Sequence, residues 1–112
     1  MQVYQALQGK VEKETYEEAA ARKLKIDHAL RDGKNYLKRG LVSEADLSFA
    51  IAVKNYRDEN ALFAMIAREF IAVKEYARGL GYLKAGLKVA PQDPLLNQLA
   101  QECMRLRTQA GK

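Results

Sequence analysis

The sequence predicts an all-α domain: a stack of antiparallel helix hairpins, with a helical extension ahead of it and a closing helix behind. Three observations carry this. The chain resembles itself at a constant spacing of about 34 residues. Its apolar residues recur every three or four positions rather than alternating. Leu and Ala dominate while β-branched residues are few, which favours helix over sheet. The 112 residues suit a single domain, with 48% hydrophobic and 29% charged residues, the balance of a globular chain.

The self-similarity is specific. Shifted by one such spacing, Ala29 falls on Phe63, Gly33 on Ala67, Tyr36 on Phe70, Val42 on Tyr76, Ala45 on Gly79, Phe49 on Leu83 and Ala52 on Gly86. Small residues meet small ones, and most large apolar residues meet large ones. The chain divides into an extension over 1–25, repeats over 26–59 and 60–93, and a closing helix over 94–108.

The extension is the least determined part. Val11 to Leu24 is rich in Glu, Ala and Lys without Pro or Gly, so it is expected to be helical, with Tyr16, Ala19, Ala20 and Leu24 turned inward. It is either half of a degenerate repeat or the beginning of the helix that contains Leu30 and Tyr36. Tyr4, Leu7 and Val11 form an apolar stripe that either docks on its own domain or serves self-association. Helical repeats generally need about three units to bury a continuous core. Two clear ones here raise the expectation of a homo-oligomer or a supporting partner.

In the first repeat Leu30, Gly33, Tyr36 and Leu37 make one helical face. Arg39-Gly40-Leu41 is the turn, with Gly40 suited to a left-handed helix end. Ser43 with Asp46 three residues on reads as a near capping box, and Ala45, Phe49, Ala52 and Val53 make the second face. In the second repeat Phe63, Ile66, Ala67, Phe70 and Ile71 form the first face. A break falls over Val73-Lys74-Glu75. Tyr76, Gly79, Leu80, Leu83, Gly86, Leu87 and Ala90 form the next face, which Pro91 ends. Asp93 then caps a helix with Pro94 in its first turn. Leu95, Leu96, Leu99, Cys103 and Leu106 give it an amphipathic face, ending near Arg107. Antiparallel helices approach closely only where side chains are small, and Gly33/Ala67, Ala45/Gly79 and Ala52/Gly86 supply those places.

This order of aromatic, small and Leu-like positions, closed by Pro and recurring after about 34 residues, resembles the tetratricopeptide repeat. The second repeat matches at Phe63, Ile66, Ala67, Phe70, Tyr76, Gly79, Leu83, Gly86 and Pro91. The first matches at Gly33, Tyr36, Gly40, Ala45, Phe49 and Ala52. It departs at Ala29, where a large aromatic is usual, at Asp32, where Leu is usual, and at Arg57, where Pro is common. The resemblance implies a right-handed superhelical stack and a non-catalytic protein–protein interaction module: an adaptor, an assembly factor or a small chaperone. Cytosolic chaperones of bacterial secretion systems include helical-repeat proteins of this size.

The resemblance also implies a peptide-binding groove lined by the first helix of each hairpin. Carried over by register, it comprises Asp27, Leu30, Lys34, Leu37 and Lys38 from the first repeat. Ala61, Ala64, Met65, Arg68, Ile71 and Ala72 follow from the second, with Leu95 and Gln98 from the closing helix. Leu30 and Lys34 stand where chaperone-docking members carry a Lys/Asn clamp for a terminal carboxylate, and Met65 replaces the second Asn, so no chaperone-tail clamp is expected. An apolar strip bearing Lys34, Lys38 and Arg68 suits a protein or peptide ligand with apolar and acidic residues.

Composition argues against other classes. The four hydroxyl residues Thr15, Ser43, Ser48 and Thr108 are too scattered to pair with His28 as a nucleophile–base set. Glu17/Glu18 and Asp58/Glu59 read as exposed faces or helix starts. Gly79 and Gly81 lie within a helix, without the strand a phosphate loop follows. The single Cys103 forms no internal disulfide, and with His28 alone it makes no structural zinc site, so no cofactor or metal is expected. No apolar run approaches a membrane span, and Met1-Gln2-Val3-Tyr4 does not open a signal peptide, so the expected location is cytoplasmic.

The net charge of +5 is uneven, with 8 basic against 4 acidic residues over 60–112. The rival reading is therefore a nucleic-acid binder using Lys84, Lys88, Arg105, Arg107 and Lys112. No block of like charges and no helix-turn-helix signature supports it, and nucleic acid is the less expected partner.

Overall fold

A computed structural model of the chain describes residues 14–57 and 61–111. Among the described residues there are five helices and no strand: α1 (Tyr16–Lys38), α2 (Val42–Lys54), α3 (Leu62–Ala72), α4 (Tyr76–Val89) and α5 (Pro94–Ala110). Tyr4, Leu7, Val11, Asp58, Glu59 and Lys112 lie outside the described residues.

The helix starts follow from local chemistry. Thr15 and Glu18 form a reciprocal capping box: the Thr15 hydroxyl accepts from the Glu18 N–H at 3.0 Å, and the Glu18 carboxylate accepts from the Thr15 N–H at 2.9 Å. α1 then runs unbroken to Lys38, so the sequence from Tyr16 onward continues into the Leu30–Tyr36 helix. At α5, the Asp93 carboxylate accepts from the Leu96 N–H at 3.1 Å and Pro94 occupies the first turn. That helix extends to Ala110, about one turn beyond the expected end near Arg107, through a segment that is exposed.

The start of α2 differs from expectation. The helix begins at Val42 behind Leu41, with no side-chain cap. Ser43 is already inside the first turn, because the chain reverses at Gly40. Asp46 reaches across to α4 instead. Its carboxylate accepts from the Tyr82 hydroxyl at 2.6 Å and from Arg78 Nη1, tying the second helix of one hairpin to the second helix of the next. Burial, with Asp46 beside it, pushes the Tyr82 hydroxyl well above its ordinary range.

α1 packs along α2, α3 along α4, and α4 along α5, while α3 also touches α1, α2 and α5. The result is elongated, 56 × 31 × 18 Å. Two apolar clusters meet at α3, a helix buried on two adjoining faces. Leu62, Ile66 and Phe70 face the first cluster, with Ile26, Ala29, Leu37, Ala45, Phe49 and Ala52. Phe63, Ala64 and Ala67 face the second, with Leu80, Leu83, Leu96, Leu99 and Cys103. Phe49 meets Phe70 edge-on at 5.3 Å, and Tyr82 stacks on Phe70 at 5.7 Å. Both phenylalanines are fully buried, so truncating either to Ala removes about 3–5 kcal/mol.

The first turns of α1 do not pack as expected. Tyr16 is 87% exposed; Leu24 and Ala20 are exposed as well, and among the four residues expected inward only Ala19 is half-buried. The reason is length. α1 has 23 residues and α2 only 13, so α1 overruns its neighbour by about 15 Å at 1.5 Å per residue. A polar tie holds this end instead. Glu14 accepts from Arg22 Nε at 2.8 Å and pairs with Arg57 at 3.2 Å, and Arg22 Nη1 donates to the Asn55 carbonyl at 3.1 Å. Arg57, the residue found where Pro is common, thus joins the segment after α2 to the beginning of α1.

Candidate binding groove

The 3.6-residue period sorts α1 into two faces. Ile26, Ala29, Gly33 and Leu37 turn into the core. Asp27, Leu30, Arg31, Lys34 and Lys38 share another face and form one wall of a recess of about 520 Å³. The opposite wall is α3, through Met65, Arg68 and Glu69, and the Phe49 ring reaches its floor. A second recess, about 430 Å³, lies between α3 and α5, lined by Arg68, Ile71, Ala72, Leu95, Gln98, Leu99 and Glu102. Arg68 of α3 borders both recesses.

Of the residues expected in the groove, Asp27, Leu30, Lys34, Lys38, Met65 and Arg68 come together in the first recess, and Arg68, Ile71, Ala72, Leu95 and Gln98 in the second. Leu37, Ala61 and Ala64 line neither. Leu37 is buried against α2, and Ala64 is 3% exposed in the cluster shared with α4 and α5. Each sits on the shoulder of its helix that turns toward the neighbouring hairpin helix. Arg31, Asn35, Glu69 and Glu102 line the recesses without having been expected there. Arg31 stands one turn beyond Asp27, and Glu102 stands one repeat period beyond Arg68, so both carried a readable signal of period.

The groove is electrostatically uneven. Among the described residues Lys34, Lys38 and Arg68 have no ion-pair partner, while Arg31 lies beside Asp32 at 3.5 Å with both exposed. Met65 is 46% exposed, and Leu30 and Ile71 are partly exposed beside these cations. Nothing in folding requires apolar surface and unpaired cations to share a recess. Lys84 and Lys88 on α4 and Arg105 and Arg107 on α5 are exposed too, but none of them lines either recess.

Comparison with family models, curated proteins and solved structures finds no match to this chain. Among the described residues no group of three or more His, Cys, Asp or Glu is placed to hold a metal ion, and no helix is long and apolar enough to cross a membrane. Cys103 is fully buried, its thiol 3.2 Å from the Tyr76 carbonyl, and burial pushes its pKa up. It packs as a small apolar residue rather than a reactive thiol.

Proposed function

We propose that the chain is a tetratricopeptide-type interaction module, without catalytic activity, that binds a peptide segment of another protein. The groove along the first helix of each hairpin and the closing helix is its binding face. One observation carries this reading: Lys34, Lys38 and Arg68, without ion-pair partners among the described residues, share a recess with the partly exposed Leu30 and the exposed Met65. The repeat-to-repeat equivalence of Lys34 and Arg68 supports it further. Such a surface complements a segment with apolar anchors and carboxylates. The charges set orientation and association rate, and the apolar contacts supply most of the affinity.

The test uses arrayed synthetic peptides carrying Leu or Phe beside Glu or Asp, with arrays in which Lys replaces each acid. Binding confined to the acidic set, strongly weakened by Lys34→Glu with Arg68→Glu at unchanged helix content, is expected. Lys84→Glu with Lys88→Glu, on the second helix of its hairpin, is expected to have little effect. If only the Lys84/Lys88 change abolishes binding, the groove reading fails. A steep fall of affinity for nucleic acid with salt would then favour the basic-surface rival.

A further inference from the structure

The two recesses differ in charge. The second is lined by one cation and one acid, Arg68 and Glu102. The first is lined by four cations, Arg31, Lys34, Lys38 and Arg68, against two acids, Asp27 and Glu69, which leaves an excess of two positive charges. The cations come from both walls, three from α1 and Arg68 from α3. All four are exposed. The contact of Arg31 with Asp32 at 3.5 Å joins two exposed side chains, a pairing weak enough to yield to another anion.

Folding alone gains nothing from this arrangement. Arg31, Lys34 and Lys38 follow one another at three and four residues on α1, so they are neighbours on one helix face, and like charges at that spacing destabilise a helix. Asp27, one turn before Arg31, offsets only the first of them. Among the described residues no acid pairs with Lys34 or Lys38. An anion seated between α1 and α3 relieves the repulsion. A carboxylate brings one negative charge and cancels half of the excess. A phosphate monoester carries about −1.5 to −2 charges at pH 7 and offers three acceptor oxygens, which matches an excess of two presented from two walls. Arg31 and Arg68 also supply planar forks that pair with phosphate through two N–H groups. Leu30, Met65 and the Phe49 ring line the same recess. An apolar segment carrying the phosphate therefore uses the whole recess, and a free ion does not.

We propose that the first recess is a phosphate site, which takes a phosphorylated side chain of a partner protein. Lys34 and Arg68 meet the phosphate from the two walls, and Arg31 and Lys38 supply the rest of the charge that balances it. Apolar residues beside the phosphorylated one rest on Leu30, Met65 and Phe49. This rests on the reading of the groove as a peptide site and adds the chemical class of its ligand: binding is switched on by phosphorylation of the partner.

The experiment measures fluorescence anisotropy, at low ionic strength, of fluorescein-labelled Gly-Leu-phosphoserine-Leu-Phe-Gly-amide, and of the same peptide with Glu or Ser for the phosphoserine. At about pH 7.5 the phosphopeptide is expected to bind about tenfold more tightly than the Glu peptide. The phosphate takes up its second proton near pH 6, so at about pH 5.5 that preference is expected to narrow to about threefold. No histidine lines the recess, and sulfate, dianionic throughout, is expected to compete equally at both pH values. Arg31→Gln with Lys38→Gln removes the excess charge and, with helix content checked by circular dichroism, is expected to cut the preference to about twofold. If the Glu peptide binds as tightly as the phosphopeptide, the phosphate site is wrong and the groove reading stands. The same holds if the preference is equal at both pH values or survives the double change. If none of the peptides binds, both readings fall, and binding to phosphoinositide vesicles or to a single-stranded oligonucleotide would then assign these cations to lipid or nucleic acid.

Discussion

Gly40 and Lys74 occupy the same left-handed turn in successive hairpins, with φ of 76° and 65°. The hydrogen bonds around them correspond one for one. The Gly40 and Leu41 N–H groups donate to Leu37 and Tyr36 at 3.0 and 2.9 Å, and the Lys74 and Glu75 N–H groups donate to Ile71 and Phe70 at 3.0 and 2.9 Å. Each is a Schellman-type helix end. The turn has kept its geometry while the second has lost its glycine.

That relationship predicts a stabilising substitution. A residue with a side chain pays about 1–2 kcal/mol in the left-handed region, whereas glycine loses about 0.5–1 kcal/mol more backbone entropy on folding. Lys74→Gly is therefore expected to stabilise the protein by about 0.5–1 kcal/mol, and Gly40→Ala to destabilise it by about 1 kcal/mol. Urea midpoints of the two variants against the parent check both signs. A loss of stability in Lys74→Gly would contradict the equivalence of the turns.

The glycines inside helices separate in the same way. A Cβ on Gly33 meets Phe49 ring carbons at 2.5 and 2.6 Å. That ring is fully buried and held edge-on by Phe70, so it has little room to retreat. Overpacking of about 1–3 kcal/mol outweighs the roughly 1 kcal/mol of helix propensity that Ala adds. Gly33→Ala is expected to lower the thermal midpoint. Gly81 has nothing within 4 Å of its Cβ position, and Gly81→Ala is expected to raise stability by about 0.5–1 kcal/mol. Equal effects at the two positions would show that Gly33 is not a packing requirement.

Cys103 offers a probe of the closing helix. Its thiol is fully buried and its pKa is raised by burial, so both access and thiolate are scarce. A disulfide-exchange reagent such as DTNB is expected to leave the native protein unmodified at a time when it titrates the thiol completely in guanidinium chloride. Slow modification that accelerates with mild denaturant would report opening of α5. Immediate reaction in the native state would mean that α5 does not cover the thiol.

How far the sequence foretold these features depends on which level of the chain encodes them. The helix faces, the small residues at close approach and the turns at Gly40 and around Val73–Glu75 are local or periodic, and they were legible. Lys74 adopts the left-handed conformation without the glycine that announces it. Tyr16 and Leu24 looked inward because periodicity reports which side of a helix is apolar, and not whether a neighbour is long enough to cover it. Asp46 read as a cap because its partners Arg78 and Tyr82 belong to the next hairpin, far along the chain. In the groove, register found Lys34 and Arg68. It could not separate the open side of each helix from the shoulder that buries Leu37 and Ala64. Glu102 was passed over because the closing helix was read for its apolar face.

The final prediction concerns acid. Glu14 ties the beginning of α1 to Arg57 after α2, and the hydrogen bond from Arg22, with the charge of Arg57 behind it, holds its carboxyl below the usual 4.5. A carboxyl whose pKa is lower in the folded state binds fewer protons there than in the unfolded state. Its contribution is therefore complete above about pH 4.5 and is lost as pH falls through the lower folded value. Glu14→Gln removes the charge at every pH. The parent is expected to melt at a higher temperature than Glu14→Gln, by a constant difference at about pH 6 to 7. That difference should narrow below about pH 4.5 and vanish once Glu14 is protonated in the folded state. Thermal melts of both proteins across that range measure it directly. Curves that stay parallel into strong acid would place the acid sensitivity in some other carboxylate, and a gap that widens as pH falls would reverse the sign of the argument.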